Sequence, residues 1–396
     1  MKKGIQIIGL LLLLSLLSGC WDARELGDIT VVTGMGIDKG ERKRYKLTIE
    51  GMNAAELNNK TARGDAPSIV YSLEGDTIAE LSQKMNTAIS RKTVYSHVRT
   101  VVISQELART GLLEFLDFLE RNREIRDDFM FLLSEGKAED ILKVTYPIQK
   151  ASSLKIAAQL PTMAQNWGGD PDIRLKHMID AATSPGRSPV LTKIRIQGEK
   201  EKGGSVENMK KVDPNAIVVV DGLAVFKDDR YIGDLNMGDS RNYLLIQGDV
   251  KLTSFTIPCG NKNFLAVRVY NASSKRKVEY FGGTPHAKIE LFLEGRLDST
   301  QCGDDLSKPE TYVKYEKMMS KSVSHEVEST IKRVQKKFQV DAFGFGDDLN
   351  RQHFEQFEKV KDNWNEEFAR MKVDVHTTVM LRRAGIRTKS FLKERK

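Results

Sequence analysis

The stretch "ETYVKYEKMMSKSVSHEVESTIKRVQKKFQV", residues 310–340, carries an apolar side chain at every third or fourth position. This spacing places those side chains on one side of a helix, so it predicts a single amphipathic helix roughly 45 Å long. The apolar stripe consists of Tyr312, Tyr315, Met319, Val323, Val327, Ile331, Val334 and Phe338. We interpret the stripe as the face that covers a β-sheet, and a helix that binds a partner protein is the alternative.

Strand-like segments flank the long helix. They are "NAIVVVDGLAVFKDDRYIGDL" (215–235), "YLLIQG" (243–248), "KLTSFTIP" (251–258), "FLAVRVYNAS" (264–273), "KVEYFGG" (277–283), "HAKIELFLEGRL" (286–297) and, after the helix, "KVDVHTTVMLRRAG" (372–385). Short apolar or alternating runs of this kind are typical of strands. We therefore predict a C-terminal domain, residues 214–390, in which a β-sheet is covered by the long helix, and a basic tail at 391–396.

The first half of the chain alternates between strand and helix patterns. "ITVVTGMGID" (29–38) and "RYKLTIEGM" (44–52) indicate a hairpin, whereas "ELARTGLLEFLDFLERN" (106–122) has helical spacing. The charged segment 201–213 contains few apolar residues and predicts a linker. The expected fold class is α+β, with two to three mixed α/β domains in all; residues 20–200 form one N-terminal mixed α/β region or two subdomains.

The N-terminus has the pattern of an export signal. Two lysines precede an apolar run of about a dozen residues, which is too short to span a bilayer. The run ends in "LSGC" (17–20), which fits the bacterial lipobox. We predict a lipoprotein signal peptide at 1–19 and a covalent lipid on Cys20 that holds the mature chain on a membrane, outside the cytoplasm. A secreted protein with an incidental cysteine is the alternative.

Charge and cysteine content restrict the partners and the compartment. The chain has 62 basic and 54 acidic residues, a formal net charge of +8. This mild excess suits an anionic membrane surface, and we expect no nucleic-acid partner because an exported protein rarely meets one. Once Cys20 is acylated, Cys259 and Cys302 remain, and an oxidising location permits a disulfide between them. Two separate thiols are the alternative.

The sequence lacks the residue patterns of catalysis. The six histidines are scattered without metal-ligand spacing. The motifs "GMG" (34–36) and "GFG" (344–346) lack the further glycines of a dinucleotide or phosphate loop, and no nucleophile elbow is present. We therefore expect a protein that is not an enzyme and that has no cofactor beyond the lipid on Cys20.

Several collinear motifs resemble those of one family. They are "GCWDARELGDITVVTGMGID" (19–38), "YSHVRTVVISQELARTGLLEFLDFLERNREIRDDFMFLLSEGKAEDIL" (95–142), "GLAVFKDDRYIGDL" (222–235), "FGFGDDLNR" (343–351) and "NWNEEFARMKVDVHTTVMLRRAG" (363–385). Together they resemble the GerAC-like family, the C-subunit lipoproteins of spore nutrient germinant receptors. The pair Cys259 and Cys302 does not belong to this resemblance.

The resemblance implies a multi-domain α+β protein on the outer face of the inner membrane of the dormant spore. It also implies work with two integral-membrane subunits, A and B, in a receptor that detects nutrients, and it implies no catalytic residues. The motif residues Trp21, Asp22, Glu25, Phe343, Gly344, Gly346 and Trp364 are candidates for interaction or for keeping the fold. An independent lipoprotein that captures a small molecule in a domain cleft and delivers it to a transporter is the alternative.

Overall fold

The computed structural model describes residues 28–382, apart from 54–55, 57–59, 61 and 261. The predicted signal peptide, the N-terminal residues Cys20, Trp21, Asp22 and Glu25, and the basic tail lie outside the described residues.

A large mixed sheet organises the first half. Its strands are β1 (Ile29–Lys39), β2 (Tyr45–Met52), β3 (Ser68–Gly75), β4 (Lys92–Val94), β5 (Thr100–Ser104), β6 (Met130–Ser134), β7 (Val190–Gly198), β8 (Ala216–Lys227) and β9 (Arg230–Leu235). The order is β3-β2-β1-β5-β6-β7-β8-β9, and β4 pairs with β1. The strands β1, β5, β6 and β7 run parallel to one another, and antiparallel strands complete both sides.

Helices cover both faces of this sheet. They are α1 (Ile78–Lys84), α2 (Gln105–Ala108), α3 (Leu113–Arg121), α4 (Ala138–Lys143), α5 (Ser152–Asn166), α6 (Leu175–Thr183), α7 (Lys200–Gly203) and α8 (Val206–Lys210). Helices α1, α3 and α6 pack with Val101 and Ile103, whereas α4 and α5 pack with Val102 on the opposite face. All five residues of β5 and of β6 are buried, because parallel strands between two helical layers have no solvent face.

Carboxylates from the strands and their connections fix where three of these helices begin. Asp38 accepts hydrogen bonds from the first two N–H groups of α4, at 2.8 and 3.0 Å. Glu50 does the same for α5, at 3.0 and 2.9 Å, and Asp229 accepts from two N–H groups at the start of α3, at 2.6 and 3.0 Å. The first N–H groups of a helix have no partner within it, so these acids stabilise each helix start.

A four-stranded sheet under one long helix forms the second half. The strands are β10 (Thr253–Gly260), β11 (Asn263–Phe281), β12 (Thr284–Thr300) and β13 (Lys372–Arg382), in that order, with β13 parallel to β12. The helices are α9 (Met237–Gln247), α10 (Pro309–Lys337), α11 (Phe345–Gln352), α12 (Phe354–Glu358) and α13 (Trp364–Arg370). The apolar stripe of α10 is buried in the same core as one face of the sheet. The predicted α+β class is confirmed.

The two sheets do not divide the chain at residue 214, where the C-terminal domain is predicted to begin. Strand β8 pairs with β7, and β9 pairs with β8. Both strands, predicted to open the C-terminal domain, therefore belong to the first sheet, which ends at Leu235. The segment 201–213, predicted as a linker, contains the end of α7 and all of α8. The side chain of Asn208 explains this: it donates to the carbonyls of Thr145 and Ala216 and accepts from the Ala216 N–H, so it fastens the segment to the sheet.

The segment "YLLIQG", predicted as a strand, lies in helix α9 and its C-terminal cap. Asn236 caps the start of α9 by accepting from the Asp239 N–H at 3.0 Å, and Gly248 ends it in the left-handed conformation, φ 80°. The helix is enclosed by core on most sides, with 242–246 all buried. Because α9 is buried on most sides, its short apolar run shows no helical period. The pattern of such a run does not distinguish a helix from a strand.

Among the residues that the structure describes, no helix is both long enough and apolar enough to cross a membrane.

Candidate functional site at the junction of the two halves

Residues 338–348, which comprise the loop between α10 and α11 and the first turn of α11, are called the motif loop. The motif loop brings four of the predicted motif residues around one buried carboxylate, that of Asp341. Its oxygens accept hydrogen bonds from the backbone N–H groups of Phe343 at 3.0 Å, Gly344 at 2.9 Å and Gly346 at 2.8 Å. The indole N–H of Trp364, at the start of α13, donates to the same carboxylate at 2.8 Å. Gly344 has φ 78°, a left-handed conformation that glycine adopts without strain.

Asp341 itself was missed from the sequence. A signal for it exists, because an aspartate commonly accepts hydrogen bonds from backbone N–H groups a few residues later, where glycines permit the turn. Burial raises the pKa of Asp341 to about 6, while the four N–H donors act in the opposite direction.

The aromatic motif residues belong to the core of the second half. The Phe343 ring lies 5.7 Å from Phe345, 6.0 Å from Tyr243 and 6.4 Å from Phe368, measured between centroids. Trp364 is buried as well. These distances are typical of favourable aromatic pairs, and the two side chains stabilise the fold rather than present a surface.

The same loop contacts the first half through the turn between α6 and β7. The Ser188 N–H donates to the Asp341 carbonyl at 2.8 Å, and the Asp347 N–H donates to the Gly186 carbonyl at 3.3 Å. A Cβ on Gly346 would lie 2.6 Å from the Gly186 Cα, closer than side-chain contacts allow. The two backbones therefore touch because both positions are glycine.

Charged side chains surround this contact. Asp347 accepts from the Ser184 hydroxyl at 2.7 Å and pairs with Arg187 at 3.2 Å. On the other side of the loop, Arg276 pairs with the buried Asp348 at 2.9 Å. Hydrogen bonds, ion pairs and backbone packing thus tie the motif loop to both halves.

Two cavities lie beside the junction, of about 240 and 390 Å³. They share Pro171, His177 and Asp249 in their linings, and residues of both halves contribute. Both linings mix polar and apolar residues, and a cleft between two parts of a fold is a common position for a small-molecule site. Within the described ranges, no group of three or more His, Cys, Asp or Glu side chains is placed to hold a metal ion.

The two cysteines of the second half are joined in a disulfide. The Cα atoms of Cys259 and Cys302 lie 6.2 Å apart, within the range that the bond requires. The bond connects the end of β10 to the loop after β12, far along the chain from the motif loop.

Comparison with known proteins identifies the class to which this fold belongs. A family model described as "Spore germination protein N-terminal domain" matches residues 22–196, and one described as "Spore germination B3/ GerAC like, C-terminal" matches 221–385. The chain belongs to the GerAC-like family of spore germination proteins, so the recognition made from its motifs is confirmed.

Relatives that match this chain along nearly their whole length support the same assignment. Spore germination protein KC of Bacillus subtilis (strain 168) is 31% identical over 98% of this chain and 97% of its own length. Spore germination protein GerQC of Bacillus cereus is 21% identical over 95% of this chain and 98% of its own. The crystal structure of the GerBC protein shares the fold, with a TM-score of 0.58 at 16% identity over 88% of this chain and 96% of that one.

Proposed function

We propose that this chain is a non-enzymatic, lipid-anchored subunit of a spore germinant receptor that acts with integral-membrane A and B subunits in nutrient-triggered germination. The observation that carries the proposal is the 31% identity to spore germination protein KC over 98% of the chain. The lipobox at 17–20 supports attachment to the outer face of the spore inner membrane through a lipid on Cys20. The motif loop then has a structural task, which is to hold the two halves in one arrangement.

The receptor role is tested in spores that lack this protein, in a strain whose other germinant receptors are also absent. We expect these spores to lose the response to one nutrient class, to contain less of the A and B subunits, and to germinate with an agent that acts downstream of receptors. Normal germination on every nutrient tested would contradict the proposal.

The anchor is tested with Cys20→Ala in cells fed labelled palmitate. The acyl chains supply most of the membrane affinity, so we expect an unprocessed precursor or loss from the membrane fraction, without label. Ser15→Ala, which leaves the lipobox intact, is the matched control. Label on the Cys20→Ala protein would refute lipidation at this residue.

The junction cavities favour one second candidate, a solute-binding lipoprotein that takes a polar small molecule between its halves. Calorimetry on the purified protein with the nutrient class found in the spore assay separates the two. A solute-binding protein takes up ligand alone, whereas a receptor subunit of the kind proposed requires the A and B subunits.

A further inference from the structure

An apolar groove of about 640 Å³ lies on the first half, and its lining shares no residue with the two junction cavities. Helix α5 forms one wall, and the loops before α5 and before β8 form the other. Ile148 is 79% exposed and Val212 is fully exposed. The lining comprises Tyr146, Pro147, Ile148, Gln149, Lys155, Ala158, Gln159, Thr162, Met163, Asn166, Val212, Pro214 and Ile217.

Among the residues that the structure describes, Lys155 is the sole charged residue in that lining. Its ammonium group donates to the Gln159 side chain and to the Val218 carbonyl, and it lies 5.0 Å from the centroid of the Tyr146 ring. Across the described part of the chain, no carboxylate forms an ion pair with it, and α5 contains no acidic residue. Burial lowers the pKa of Lys155 to about 8.

The exposed aliphatic side chains beside the groove and the partly buried Lys155 are both unfavourable in the isolated chain. Two exposed aliphatic side chains beside an apolar groove leave hydrocarbon in water, and a partly buried ammonium group without a carboxylate loses hydration that no opposite charge replaces. A single occupant relieves both when it covers the groove with apolar side chains and places one carboxylate near Lys155.

We infer that the groove of α5, Ile148 and Val212 receives a segment of a partner protein that presents apolar side chains around one Asp or Glu. A protein segment fits better than a small molecule, because Ile148 and Val212 stand at an open rim and a small ligand would remain exposed on that side. The lone cation supplies the charge complementarity. Identifying the partner as an integral-membrane receptor subunit rests on the proposed function.

The first experiment places a photo-reactive amino acid at Val212 in the full-length lipoprotein, in sporulating cells with tagged A and B subunits. Val313, 48% exposed on α10, is the matched control position. We expect a cross-link from position 212 to one tagged subunit and none from position 313. Cross-links only to lipid, or equal cross-links from both positions, would overturn the inference.

The second experiment measures co-purification of the tagged subunits with Ile148→Ser/Val212→Ser, Lys155→Met and Lys155→Glu. We expect recovery to fall roughly tenfold or more for the double variant, since two aliphatic contacts are lost, and to fall further for Lys155→Glu than for Lys155→Met. The melting temperature of the double variant should match wild type, because both residues are exposed. Val313→Ser is the control.

The outcomes separate the two proposals. If the subunits fail to co-purify with the wild-type chain, the receptor assignment falls and the inference falls with it. If they co-purify equally with wild type and with the double variant, only the groove inference is overturned.

Discussion

The two halves use their sheets in opposite ways. The first sheet is covered by helices on both faces, and its central strands are buried along their whole length. The second sheet is covered on one face by α10, and its other face carries exposed side chains such as Phe264, Tyr270 and Met380. A sheet that is covered on both faces tolerates few substitutions at any position. A sheet that is covered on one face leaves every second side chain exposed, where a substitution costs little.

The difference does not make the halves independent. Val190, Leu223, Val225 and Leu235 belong to strands of the first sheet, yet they pack in the core of the second half. The core that α10 completes therefore begins in the first sheet. We therefore expect the two halves to unfold together.

The largest effect is expected for Trp364→Ala. Its ring is buried and its indole N–H bonds to Asp341, so truncation should lower the free energy of unfolding by about 3–5 kcal/mol. Urea titration followed by circular dichroism measures the loss. A variant that shows two separate transitions, with the first half unchanged, would show that the shared core does not couple the halves.

Loss of the disulfide should have the next largest effect. The bond closes a loop with a sequence separation of 43, for which removal typically costs about 2–4 kcal/mol. Thermal melting of Cys259→Ser/Cys302→Ser against the wild type checks this, with reduced wild type as the matched control. Two free thiols in a non-reducing peptide map of protein from an oxidising compartment would rule out the bond.

The buried Asp341 should make stability depend on pH. Its pKa is about 6 in the folded protein and 3.8 ordinarily, so the folded state binds the proton more tightly. Its contribution is therefore complete below about pH 4 and is lost as the pH rises through 6, by roughly 2–3 kcal/mol.

Asp341→Asn isolates this contribution. Unfolding titrations of both proteins at pH 4, 5, 6 and 7 should show a flatter dependence for the variant. Identical slopes would mean that the carboxylate is ionised in the folded state at every pH tested.

The smallest effect is expected for Phe264→Ser on the open face of β11, and its buried neighbour Leu265 provides the contrast. Leu265 is fully buried under α10, whereas Phe264 is 42% exposed on the open face. We expect Leu265→Ala to cost about 2–5 kcal/mol and Phe264→Ser less than about 0.5 kcal/mol. Similar losses for both variants would mean that the outer face of the second sheet is covered.

The second sheet, which is covered on one face, is also the part of the fold that could be predicted best. Its strands alternate in burial, and α10 has a clear stripe, so period alone identifies both. The sheet to which β8 and β9 belong could not be predicted, because these strands look the same in sequence whichever sheet they join. The pairing of β8 with β7 depends on contacts distant along the chain. Helix α9 shows no helical period of apolar residues because it is buried on most sides. Strand β5 shows no alternation because it is buried on both faces.

The sequence predicts only some of the residues that form the cluster at the motif loop. Phe343, Gly344, Gly346 and Trp364 were chosen because they resemble a family pattern, and the structure places them together. The family pattern does not include Asp341, which accepts hydrogen bonds from all four residues, or Gly186, which Gly346 touches. A cluster made by residues far apart in the chain has no local periodicity from which it could be inferred.

The touching glycines 186 and 346 have a consequence for how this chain can vary. A Cβ on either residue would force the two backbones apart. Once one alanine has done so, the second no longer meets the opposite backbone, and a Cβ on Gly346 retains only its 2.5 Å contact with the Trp364 indole nitrogen. The cost of two alanines should therefore be smaller than the summed cost of each. Such epistasis means that each glycine is held in place by the presence of the other, so a lineage that lost one would be freer to lose its partner.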